Sequence, residues 1–74
     1  MSVEQWVWRC DPEVLGGTPV FAGTRVPVRS LFDYLEVGES LDEFLRQLPA
    51  VGRDQAVTAL DMARESLLAG AHST

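Results

Sequence analysis

The 74-residue sequence predicts a mainly α fold, a three-helix, homeodomain-like helix-turn-helix bundle with a short N-terminal β-ribbon. Three observations predict it. The stretch Gly17 to Val28, GTPVFAGTRVPV, ends an extended segment and starts a helix; two apolar stripes of helical spacing follow it; and a proline plus a glycine separate the second stripe from a long third one. In the first of these, Gly16 and Gly17 permit positive φ and favour a tight turn, and Val20 and Phe21 are strand formers. Gly23 breaks the strand. Val26, preceding a proline, is biased away from helix, and Pro27 suits a first helical position, where its missing amide hydrogen costs nothing.

Taken in order, Trp6-Val7-Trp8-Arg9-Cys10 has strand propensity and alternates Trp6, Trp8 and Cys10 on one side with Val7 and Arg9 on the other. Asp11 and Pro12 start a turn, and a second strand around Pro19 to Phe21 closes a ribbon over residues 6–22. Such a ribbon is marginal alone and must pack on the helices or on a second chain. Trp6 and Trp8 are therefore candidates for a dimer interface, with packing inside one chain as the alternative. Cys10 reads as a small, partly buried strand residue.

The first helix is predicted over residues 27–37, with Val28, Leu31, Phe32 and Leu35 as its apolar stripe and Gly38 as a left-handed cap. The second, over residues 41–48, opens with Ser40-Leu41-Asp42-Glu43, a capping box in which hydroxyl and carboxylate each satisfy a backbone amide. Its stripe is Leu41, Phe44, Leu45 and Leu48, and Pro49 stops it. The third is predicted over residues 53–69, with Ala56, Val57, Leu60, Ala63 and Leu67 inward and Gly70 at its end. Residues 1–70 make one domain, and residues 71–74 are expected to be a disordered tail.

A chain this short buries only about 60% of its unfolded surface, which favours dimerisation or a partner. No apolar run approaches the ~20 residues of a membrane span, and no basic segment followed by an apolar run marks a signal peptide. One cysteine fits a reducing cytoplasm. The net charge is −5, and it is unevenly placed: Asp33, Glu36, Glu39, Asp42 and Glu43 face only Arg46, leaving that region at −4. This balance opposes the phosphate attraction behind non-specific DNA binding and suits a basic protein partner, although a solvated helix face would read the same way.

Helix, short turn, helix is the geometry of a DNA-binding helix-turn-helix and also of a plain packing unit; spacing does not separate them. If DNA is bound, Arg53, Gln55, Thr58 and Arg64 on the third helix are the candidate contacts, set against the carboxylates of Asp54, Asp61 and Glu65. If a protein is bound, Tyr34, Glu36, Glu39, Asp42 and Glu43 are the candidates, with Tyr34 and Val37 as apolar anchors.

From Asp11 to about Ser66 the chain resembles the domain-of-unknown-function 433 family. The resemblance rests on Asp11-Pro12-Glu13, on GGTPVFAGTRVPV, on Gly38, on Ser40-Leu41-Asp42-Glu43 and on Pro49. Gly52 departs from it, standing where threonine is common, and caps a helix only slightly less well. The resemblance implies an antitoxin-like protein with a homeodomain-like helix-turn-helix, paired with a PIN-like nuclease and able to repress its own operon. A stand-alone DNA-binding regulator, or a purely structural interaction module, is the alternative.

Enzymatic activity is not expected. His72 is the single histidine, and no Cys/His cluster has metal-ligand spacing, so neither metal nor cofactor is predicted. The glycines of GGTP and GTR lack a phosphate-loop ending and read as backbone punctuation. Arg25 reads as an arginine bonding carbonyls at the strand-to-helix junction, with a binding role as the alternative.

Overall fold

A computed structural model describes residues 3–72, with side chains for residues 5–70. Its order is a 3-10 turn at Val3–Trp6, β1 at Trp8–Arg9, a second 3-10 turn at Leu15–Gly17, β2 at Val20–Phe21, α1 at Arg29–Glu36, α2 at Leu41–Gln47 and α3 at Arg53–His72. This is the mainly helical, three-helix architecture with an N-terminal antiparallel ribbon. Of the expected disordered tail, Ala71 and His72 continue α3, and residues 73 and 74 lie outside the described residues.

The ribbon is shorter than the sequence alternation implies. Trp8 pairs with Phe21 and Arg9 with Val20, while Trp6 belongs to the preceding 3-10 turn. That turn resets the alternation, so Val7 is fully buried while Trp6 is 48% exposed and Cys10 lies exposed at the ribbon's end. The expected single face of Trp6, Trp8 and Cys10 does not form. On its far side β2 is flanked by the chain entering α1, through Phe21 N–H to the Val26 carbonyl at 2.9 Å and Val28 N–H to the Pro19 carbonyl at 3.0 Å. Pro27 is held there by a bridge to Val20, so regular helix begins at Arg29 and not at Pro27.

Thr24 locks the junction. Its hydroxyl donates to the Phe21 carbonyl at 2.8 Å and accepts from the Val26 amide at 3.0 Å, a local side-chain turn of the kind threonine makes readily. The carbonyl contacts expected of Arg25 are thus made by its neighbour, and Arg25 itself is exposed.

The helix boundaries follow their caps. At the end of α1, Gly38 adopts φ 90°, and a Schellman motif closes it: Gly38 N–H donates to the Leu35 carbonyl at 3.1 Å and Glu39 N–H to that of Tyr34 at 2.9 Å. Ser40 caps α2 by accepting from the Glu43 amide at 3.0 Å. The return half of the expected box is missing there, because the Glu43 carboxylate turns down the helix to Arg46 and Gln47. It is found instead at α3, where Gln55 Oε1 accepts from the Gly52 amide at 2.9 Å, three residues back.

Val7, Phe21, Leu31, Phe44, Val51, Ala56 and Ala59 form one buried cluster, with Trp8, Tyr34, Leu41, Leu45 and Leu60 among the half-buried residues around it. Phe44 is its hub: its ring lies 6.2 Å from that of Phe21 and 5.2 Å, edge to face, from that of Tyr34. α3 meets this core with Ala56 and Ala59, letting the backbone approach closely, whereas Val57, Ala63 and Leu67, expected inward, are exposed. Among the described residues no helix is long and apolar enough to cross a membrane. Replacing Phe44 by alanine removes two ring contacts and leaves a cavity in a small core. A loss of about 3–5 kcal/mol is expected, read as a large drop in the urea midpoint.

Candidate protein-binding surface

The residues of the acidic region separate by what they bond. Asp42 pairs across to Arg53 of α3, and Glu43 pairs with Arg46 one turn on. Asp33, Glu36 and Glu39 are exposed and have no basic partner among the described residues. These three carboxylates surround the end of α1, where the Schellman turn leaves Val37 77% exposed. Beside it opens a cleft of about 390 Å³ lined by Asp33, Tyr34, Val37, Glu39 and Gln47.

The cleft is braced from below. Tyr34 lays its ring on Phe44 and donates its hydroxyl to Gln47 Oε1 at 3.0 Å, and Gln47 Nε2 donates to Glu43 Oε2 at 2.6 Å. The amide of Gln47 is oriented by Glu43, and Tyr34 is oriented by Gln47. A fixed aromatic beside an exposed valine and unpaired negative charge can take a partner's apolar side chain and its neighbouring cations with little ordering cost. Of the residues singled out from sequence, Tyr34, Val37 and Glu39 line this cleft and Glu36 stands beside it. Asp42 and Glu43 are diverted into ion pairs. Asp33 and Gln47 were not foreseen; Asp33 is visible only as part of the acidic run, and Gln47 carries no signal until the fold places it under Tyr34.

The four candidate DNA contacts on α3 do not assemble. Gln55 is spent on the fold: besides its bond from Gly52, its Nε2 donates to the Trp6 carbonyl at 2.9 Å and the Ala22 carbonyl at 3.0 Å. Thr58 is half-buried, and at 100° per residue it falls on a different side of the helix from Arg53. Arg53 and Arg64, eleven residues apart, share a face, but each is already neutralised, Arg53 by Asp42 and Arg64 by Asp61 at 3.6 Å and Glu65 at 3.1 Å. Trp6 and Trp8 are likewise separated, Trp6 exposed and Trp8 half-buried against α1 and α3.

Three outcomes follow from these bonds. Gln55→Ala strands two carbonyls and an amide at once and should cost about 2 kcal/mol in urea unfolding, while Arg53→Ala, losing an exposed ion pair, should cost less than about 1 kcal/mol. For Glu43, the bond from Gln47 and then the one from Arg46 hold its carboxyl below the usual carboxylate range. A group depressed in the folded state contributes stability above its unfolded value, about pH 4.3, and loses it as pH falls through the lower folded value. Glu43→Gln should therefore flatten the acid limb of the stability profile below about pH 4.3, as measured by thermal melts across pH.

Comparison with known proteins gives a family without a function. Residues 9–63 match the family described as "Protein of unknown function (DUF433)". An uncharacterised protein, y4eO, of Sinorhizobium fredii (strain NBRC 101917 / NGR234) is 36% identical over 60 residues, covering 81% of this chain and 27% of that protein. The chain thus spans about a quarter of the length of the relative it matches. No solved structure matches. The family match takes in the GGTPVFAGTRVPV junction, the Gly38 cap, the Ser40 cap and the α2–α3 turn, and the chain belongs to the DUF433 family.

Proposed function

We propose that this protein is a small antitoxin-like binding module that neutralises a PIN-like nuclease in the cytoplasm, using the end of α1 as its contact. The observation that carries this reading is the braced cleft of Tyr34, Val37 and Gln47, lined also by the unpaired carboxylates of Asp33 and Glu39, with the exposed Glu36 adjacent to Val37 in the chain. A nuclease must offer positive charge or bound metal to its nucleic acid, and an inhibitor that covers that surface gains encounter rate and orientation from negative charge at matching positions. Repression of its own operon is the secondary role. The mixed and self-neutralised surface of α3 makes it weak and salt-sensitive unless a second copy adds its contacts.

The test uses Asp33, Glu36 and Glu39 changed together to lysine. All three are exposed and unpaired, so circular dichroism should show the parent fold. Glu43 is left untouched because it braces Gln47. When the variant is co-expressed with the product of the adjacent gene, which this reading requires to be a PIN-like nuclease, association should slow by at least about tenfold at low salt, and protection of cells should fail. Equal rates across salt concentrations with protection intact would sink the reading. Tight operator binding by the isolated chain, lost on Arg53→Ala, would favour a stand-alone regulator instead.

A further inference from the structure

α3 carries large apolar side chains that its own core does not take up. Val57 is 46% exposed, Leu67 74% and Leu68 44%, and Leu60 is half-buried. On the helix, Val57, Asp61, Arg64 and Leu68 fall within about 60° of one another, across the axis from the buried Ala59. Leu60 and Leu67 flank this stripe on one side, and Thr58 and Glu65 flank it on the other. The four stripe residues are spaced four, three and four apart, and their order is apolar, acid, base, apolar. Read backwards, the stripe is its own complement.

That order matters because a helix that meets itself about a two-fold axis sets residue i against residue j and j against i. With the axis between positions 61 and 64, an antiparallel pair places Asp61 of each copy against the partner's Arg64, and Val57 against the partner's Leu68. At the 3.5-residue period of two packed helices, Leu60 then meets the partner's Leu67, and Glu65 meets the hydroxyl-bearing Thr58 of the partner subunit. The parallel sense would set Asp61 against Asp61 and Arg64 against Arg64, so charge selects the antiparallel one. Arg64 has donors to spare for this contact. Within one chain it bonds Glu65 at 3.1 Å and lies 3.6 Å from Asp61, with all three side chains largely in solvent, and a guanidinium carries five N–H groups.

We propose that two copies of the chain pair antiparallel along α3, Val57 of each packing on the partner's Leu68 and Asp61 of each bonding the partner's Arg64. A stripe with its apolar residues outside and its two charges at the centre gives one stable register, since a slip by a turn leaves both charges facing apolar side chains. The pairing stands apart from the nuclease reading, because the cleft at the end of α1 shares no residue with it.

Sedimentation of the full chain and of two single variants tests this. The parent should be a dimer at tens of micromolar. Asp61→Arg opposes arginine with arginine and Arg64→Asp opposes carboxylate with carboxylate, so each alone should raise the dissociation constant at least about tenfold, with helix content unchanged by circular dichroism. Mixed in equal amounts, the two variants should dimerise again, because each supplies the charge that the other lacks; an effect confined to one chain is not rescued by mixing. A second measurement fixes the direction. In a Cys10→Ser background, Val57→Cys mixed with Leu68→Cys should form a disulfide-linked pair in air, while neither links to itself, because the axis holds like positions about 16 Å apart. A monomeric parent, single variants of parental affinity, a mixture that stays monomeric, or a Val57→Cys chain that links to itself as readily each overturns the proposal. Should a charge variant lose helix, the cross-link decides alone.

Discussion

One side-chain amide, that of Gln55, joins the three parts of this protein. Its oxygen accepts from Gly52 at the α2–α3 turn, and its nitrogen donates to the carbonyls of Trp6 and Ala22, which lie just outside the two paired strands. Beyond the two-residue ladder Ala22 N–H still donates to the Val7 carbonyl at 3.0 Å, but the Ala22 carbonyl beside it needs another donor, and a partly buried carbonyl without a partner is expensive. Gln55 supplies the missing donor from a helix start whose own amide it also satisfies. The ribbon is thereby fixed to the first turn of α3, so Ala56 and Ala59 face the core and the adjacent Val57 does not. The same rotation brings Ala59 and Met62 to an apolar groove of about 170 Å³ that Trp8, Pro19, Val28 and Phe32 also line.

The local punctuation of the chain was readable because its causes are local. Ser40, Gly38 and Pro49 act within a turn or two, and each ends or begins a helix where its chemistry requires. The ribbon and the inward face of α3 were not readable for a related reason. Alternation across residues 6–10 assumes an uninterrupted strand, and a 3-10 turn ending at Trp6 shifts it by one residue. On α3 Ala56, Leu60, Ala63 and Leu67 share one side, as periodicity says, but residues 63–70 are all exposed, while Val57 lies on another side from the small, buried Ala59. What chooses the small face is the amide of Gln55, whose partners are 33 and 49 residues away. The helix also runs through Gly70, because alanines at positions 69 and 71 are strong helix formers and one glycine costs only about 1 kcal/mol.

The acidic surface was legible as composition but not as geometry. Five carboxylates against one arginine are plain in the sequence, yet which of them stay available depends on pairs that the fold creates. Arg53 reaches back eleven residues to Asp42, and Arg46 reaches three to Glu43. Both pairs lie largely in solvent and contribute little to stability; their effect is to divide the charge, neutralising the α2 end and leaving three carboxylates around the end of α1. The same pairing cancels the arginine that best suited α3 for phosphate contact.

That division bears on how a protein of this size can hold two surfaces at once. Both the acidic cleft and the apolar groove are built by α1, the first at its C-terminal end through Tyr34 and Val37, the second nearer its start through Val28 and Phe32. The buried Leu31 between them is the only α1 side chain fully inside, so the helix is anchored at its middle and exposes opposite ends. A helix of eight residues gains too little from its own hydrogen bonds to stand alone, and its geometry is set by the Schellman turn at one end and the Val20–Pro27 bridge at the other. The shape of each surface is therefore set by backbone motifs outside the helix. Exposed side chains at either end can vary without loss of fold, provided Gly38, Thr24 and Gln55 keep their bonds.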